Sequence, residues 1–141
     1  MYDLLLNIHS VLRWVLLFFL VITIIKSMIG WFGNQSFKPV DNQLGLLTLI
    51  FTHTQLIIGL VLYFISPVVK QGLSNMAEAM KIEEIRFYTV EHITGMIVAI
   101  ILITVGRVLS KKRSVPKAKF KTITIFFTLG LIIMLLMIQR W

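Results

Sequence analysis

Three histidines, His9, His53 and His92, fall inside or at the edge of apolar segments long enough to cross a bilayer, in a chain that otherwise confines most of its charge to short connectors. An ionisable ring at membrane depth is costly unless a partner, a cavity or a cofactor compensates it, so each is a candidate functional residue. Two further side chains belong with them. Arg13 follows His9 by four positions, which stacks the pair on one helix face with Trp14 beside them, and Glu91 directly precedes His92. An imidazole nitrogen can ligate a metal or a haem iron, pass a proton, or hydrogen-bond between helices. A buried guanidinium requires an anion. Glu91 is the one acid within a span that can supply it, and a carboxylate of a bound group would serve as well.

Composition identifies the elements that must position these groups. At 57% hydrophobic and 14% charged residues, with a mean hydropathy of +0.90, the 141-residue chain is not an ordinary soluble domain. Four segments qualify as membrane spans: about Leu4 to Ile29, Leu44 to Ile65, Phe87 to Leu109 and Phe120 to Ile138. Each is close to the ~20 residues that cross a ~30 Å hydrocarbon core. They fill residues 1–141 as a single four-span domain. Met1-Tyr2-Asp3 lacks the basic start of a secretory signal and no small-x-small cleavage site follows, so the first span is expected to be retained. The absence of cysteine excludes disulfides, thiolate metal sites, iron–sulfur clusters and covalent haem attachment.

The formal charge of +8 does not point to nucleic acid, because Arg107, Lys111, Lys112, Arg113, Lys117, Lys119 and Lys121 all cluster about the third connector. That is a positive-inside signal. It places the connector in the cytoplasm, the first connector with Lys26 and Lys38 on the same side, and both termini outward. In the first connector, Gly30 to Pro39, two glycines and a proline predict a short turn, with Asp41 or Asn42 capping the helix that follows. In the second, Met76 to Ile85 alternates apolar and charged residues as a short amphipathic helix would. Such connections favour an all-α, antiparallel four-helix membrane bundle.

Within the second span, Leu46, Leu49, Ile50, His53, Leu56, Ile57 and Leu60 share one face, an apolar stripe expected to carry His53 toward the bundle, and Gly59 permits a close approach. In the third, Gly95 and Ala99 form a small-xxx-small pair that either packs helices tightly or leaves room for a flat macrocycle. The fourth, with its Thr, Gly and Ile pattern, reads as scaffold.

Without cysteine, the chemistry that best suits buried imidazoles is haem b held by axial histidines from two helices, needing only neutral nitrogens and partners for its propionates. A copper or zinc site from His9, His53 and His92 is chemically permitted but lacks local ligand spacing. Interhelical hydrogen bonding is the plain alternative. Depth discriminates among pairs: at ~1.5 Å per residue, His92 lies roughly 8 Å outward of the bilayer centre, His53 roughly 5 Å inward, and His9 near the level of His92. His9 with His92 is thus the geometric rival of His53 with His92.

The stretches Ile8-His9-Ser10-Val11-Leu12-Arg13-Trp14, Phe51-Thr52-His53-Thr54-Gln55 through Phe64, and Val90-Glu91-His92-Ile93-Thr94-Gly95-Met96, ending in Gly106-Arg107, resemble small four-helix bacterial inner-membrane proteins labelled cytochrome b-like. The likeness extends over nearly the whole chain. More distantly the layout is similar to a four-helix half of haem A synthase and to copper-resistance membrane proteins. Because Glu91 directly precedes His92, instead of standing four residues before a histidine, synthase activity is not implied. The resulting expectation is a non-covalent haem b protein of the bacterial inner membrane that passes single electrons, with a quinone or a larger respiratory assembly as partner. His53 and His92 are the expected axial ligands, Arg13 counters a propionate, and His9 is an alternative ligand or a hydrogen-bond donor. The competing expectation is a cofactor-free accessory subunit of a membrane complex.

Overall fold

The computed structural model describes residues 1–138, which are helical with no strands among them. Four long apolar helices form a membrane-type antiparallel bundle: α1 (Tyr2–Phe32), α2 (Pro39–Ile65), α6 (His92–Lys112) and α7 (Pro116–Met137). Between α2 and α6 the chain makes three short helices, α3 (Pro67–Ser74), α4 (Met76–Ala79) and α5 (Glu83–Arg86), and a π turn at Phe87–Glu91 that runs directly into α6. All three prolines open helices, where a missing amide hydrogen costs nothing. The turn after α1 is shorter than the sequence suggests, since Gly30, Trp31 and Phe32 remain helical and the chain reverses through Gly33 and Asn34, whose φ is 51°. α2 opens earlier than expected, with Lys38 as its N-cap, and Asp41 acts from within the first turn, accepting the Lys38 amide at 2.8 Å.

The amphipathic helix expected at Met76 to Ile85 is broken in two. Asn75 Oδ1 accepts the Glu78 amide and caps α4, which ends within a turn, and α5 begins only at Glu83. Upstream, Ser66 caps α3, whose Val69 and Gly72 are buried.

Helices pack in a ring, with α1 against α2 and α7, and α7 against α6; α2 and α6 touch least among neighbours. The core comes from Leu16, Leu20 and Ile24 of α1, Ala99, Ile100 and Ile103 of α6, and Ile123, Phe127 and Met134 of α7. The buried face of α2 is instead Asp41, Gly45, Thr48 and Thr52, and Thr23 Oγ1 meets Thr48 Oγ1 at 3.0 Å across the α1–α2 contact. This corrects the expected orientation of α2. The centre of the expected stripe points outward, with Leu46, Ile50 and Ile57 exposed, while Leu49 and Leu56 at its edge pack against the core, because lipid solvates apolar side chains while small and hydroxyl-bearing residues let helix backbones approach and hydrogen-bond. The fourth span, read from its sequence as scaffold, buries Thr122, Ile123, Thr124, Phe127 and Gly130 and also contributes Met134 to the cavity wall.

Candidate functional site

The end of the bundle that carries the N-terminus and the α3–α5 connection encloses a cavity of about 330 Å³ between α1, α2 and α6. His9 and Arg13 enter it from α1, Thr52, Gln55 and Tyr63 from α2, and His92 from the first turn of α6. The rest of its wall is mostly apolar, including Leu16, Met96, Ile100 and Met134.

His92 is firmly oriented. Its Nδ1 lies 2.8 Å from the Met137 carbonyl oxygen of α7. A carbonyl only accepts, so Nδ1 donates its proton and Nε2 keeps the lone pair that can meet a ligand. The same Nδ1–H to carbonyl arrangement orients many metal-binding histidines. Gly95, one turn along α6, makes the contact possible: a Cβ there would overlap the Met137 side chain. The Gly95–Ala99 pair therefore serves helix packing, with Ala99 fully buried in the core, and leaves no slot for a macrocycle on that face.

His9 is held from the opposite side. Gln55 Nε2 donates to the His9 carbonyl at 2.8 Å, tying α1 to α2 at this level. The ring lies against Gly59, where an added Cβ would come within 3.4 Å of His9 Nε2. Arg13, one turn further on, places its guanidinium carbon 5.1 Å from the centre of the Trp14 ring while lining the same cavity.

Glu91 does not meet Arg13. It accepts a hydrogen bond from Arg86 Nε at 2.8 Å, and Arg86 also donates to the Met80 carbonyl. The π turn is the cause: its five-residue hydrogen-bond spacing, with the His92 amide bonded to the Phe87 carbonyl, brings positions five apart to one side, where an α-helix would splay them. The turn is anchored by Tyr63, whose hydroxyl donates to the Thr89 carbonyl at 2.7 Å.

His53 lies elsewhere, exposed on the outward face of α2 and absent from the cavity wall. Its Nε2 is 3.0 Å from Thr104 Oγ1 on α6. Because the Thr104 hydroxyl gives its proton to the Ile100 carbonyl at 2.7 Å, it accepts from His53, and the bond bridges α2 and α6. The structure thus brings His9, Arg13 and His92 together and separates His53 and Glu91 from them. Among the described residues no group of three His, Asp or Glu side chains is placed to hold a metal ion, so the three-histidine copper or zinc site does not form.

Gln55, Tyr63 and the Met137 carbonyl are site residues that carry no role in the sequence reading, whereas Gly59 permits the close approach expected of it, that of His9. Gln55 has a signal: Thr48, Thr52, Gln55 and Gly59 recur at alternating four- and three-residue steps, a polar and small stripe on a helix. Comparison with models of protein families, with curated proteins and with solved structures finds no match to this chain.

Proposed function

We propose that the cavity holds one non-covalent haem b and that the protein passes single electrons across or within the bacterial inner membrane. The observation that carries this reading is the pairing of His9 and His92 on one apolar cavity, with the His92 tautomer fixed so that Nε2 faces outward from its α7 anchor. Two neutral imidazoles, a guanidinium and no thiolate form a donor set that fits haem b. A volume near 330 Å³ is at the low end for ligand pockets, roughly 300–1,000 Å³, so a bound macrocycle would keep part of its edge outside the present walls.

On this reading His9 and His92 are the axial ligands, in place of the His53 and His92 pair, and Arg13 meets a propionate. A bound haem would supply reversible one-electron chemistry. The chain's own residues fix the His92 imidazole through the Met137 carbonyl, tie the His9 backbone to α2 through Gln55, set a positive charge at Arg13 and exclude water with Leu16, Met96, Ile100 and Met134. The lysine- and arginine-rich end faces the cytoplasm, which turns the cavity and both termini outward, and a membrane quinone or a larger respiratory assembly exchanges the electron.

A visible spectrum of the purified protein tests the reading: a Soret band with sharp reduced α and β bands is expected, and a featureless spectrum at full haem supply overturns it. The cofactor-free accessory subunit is the second reading, favoured by the His53–Thr104 bond, which is helix clamping with no ligand role. It predicts the featureless spectrum.

A further inference from the structure

At the opposite end of the bundle, Arg107 of α6 is buried, 4% exposed, although it carries a full charge. Its Cδ and Nε pack within about 3.4 Å of where a Cβ would stand on Gly45, so the absence of a side chain there eases the close approach of the guanidinium to α2. Among the described residues its Nε has no hydrogen-bond partner. Asp41, one turn from Gly45 on the same face, is the nearby acid, and both its oxygens are engaged: Oδ1 by Lys26 Nζ at 2.8 Å and Oδ2 by the Lys38 amide at 2.8 Å. Lys119 is also committed, donating to the Ser110 and Lys111 carbonyls at the end of α6. Around this centre Lys111, Lys112, Arg113, Lys117 and Lys121 are exposed. The end as a whole therefore sets many cations against a single, already paired carboxylate.

A guanidinium whose buried Nε–H lacks an acceptor is unfavourable, and a phosphate group is the anion its planar fork fits best. The depth is also right, because helix ends meet the phosphate layer of a bilayer. We propose that this end binds a phosphate group, with Arg107 as the specific contact and the surrounding lysines as a steering field. The group is supplied either by an anionic phospholipid headgroup or by free phosphate. The proposal is independent of what the opposite cavity holds.

The test uses the full chain, delipidated in neutral detergent, and measures binding by native mass spectrometry and unfolding by circular dichroism with added phosphatidylglycerol, phosphatidylcholine, inorganic phosphate or chloride at equal ionic strength. Phosphatidylglycerol is expected to bind and raise the unfolding midpoint more than phosphatidylcholine, and phosphate matching it over chloride would identify the free anion as sufficient. Arg107→Met should weaken that preference by about tenfold or more, the loss of a charge-assisted hydrogen bond, while Lys112→Gln at the surface leaves most of it. If Arg107→Met does not fold, Arg107→Lys retains the charge without the fork and should show a reduced preference. Equal response to phosphatidylglycerol and phosphatidylcholine together with no phosphate effect over chloride, or an undiminished preference in both Arg107 variants, overturns the proposal.

Discussion

Replacing His53 separates a clamp from a ligand. Its Nε2–H donates to Thr104 Oγ1 at 3.0 Å, on the exposed side of the seam where α2 and α6 touch least. His53→Phe keeps an aromatic ring against lipid and deletes the donor; Thr104→Val deletes the acceptor while the Ile100 carbonyl keeps its helical amide. Side-chain hydrogen bonds between membrane helices are worth about 0.6 kcal/mol on average and up to ~1.7 kcal/mol. Since this one is exposed, the lower figure applies, about a threefold change in the unfolding equilibrium. The double-mutant cycle, read from unfolding in mixed micelles by helical circular dichroism and tryptophan fluorescence, should return a coupling energy near that value. A coupling of zero would refute the bridge between α2 and α6, and a loss well above ~2 kcal/mol for His53→Phe alone would show that the ring serves more than one bond.

Asp41→Ala removes both the acceptor of the Lys38 amide and the partner of Lys26, and should destabilise the bundle by about 1–3 kcal/mol, with Lys26→Gln milder because that lysine is partly exposed. Thermal unfolding of the two variants in one detergent decides the order. Gly130→Ala places a Cβ 2.7 Å from Ile103 Cγ1 and should cost about 1–3 kcal/mol by overpacking α6 against α7, measured in the same way. A topology reporter inserted at Ser114 should report cytoplasm and one after the C-terminus the outer side; the reverse would overturn the orientation.

Much of the architecture is legible in the sequence because span length is a one-dimensional property. All four apolar runs lie in long helices, apart from the π turn at the start of the third and Ile138 at the close of the fourth. Facing is harder to read. Reading the Leu and Ile stripe of α2 as its buried face applied the logic of water-soluble helices, whereas in lipid the Thr48, Thr52, Gln55 and Gly59 stripe turns inward and carries His53 outside. Helix rise nevertheless ranks His9 with His92 at one depth, and the cavity joins those two. The Arg86–Glu91 pair was invisible because it depends on a π turn, a local departure from the periodicity on which such readings rest. The Met137 carbonyl that orients His92 was equally hidden, since every residue has one and only tertiary packing selects it.

The proposed haem rests on His9 and His92 acting together as its ligands. Its most direct test is the haem-to-protein ratio and reduced visible spectrum of four purified proteins: wild type, His9→Ala, His92→Ala and His53→Ala. The low-spin spectrum should be present in wild type and His53→Ala and lost in both His9→Ala and His92→Ala. Its loss in His53→Ala with retention in His9→Ala would contradict the ligand pair, and its absence from all four would contradict the cofactor itself.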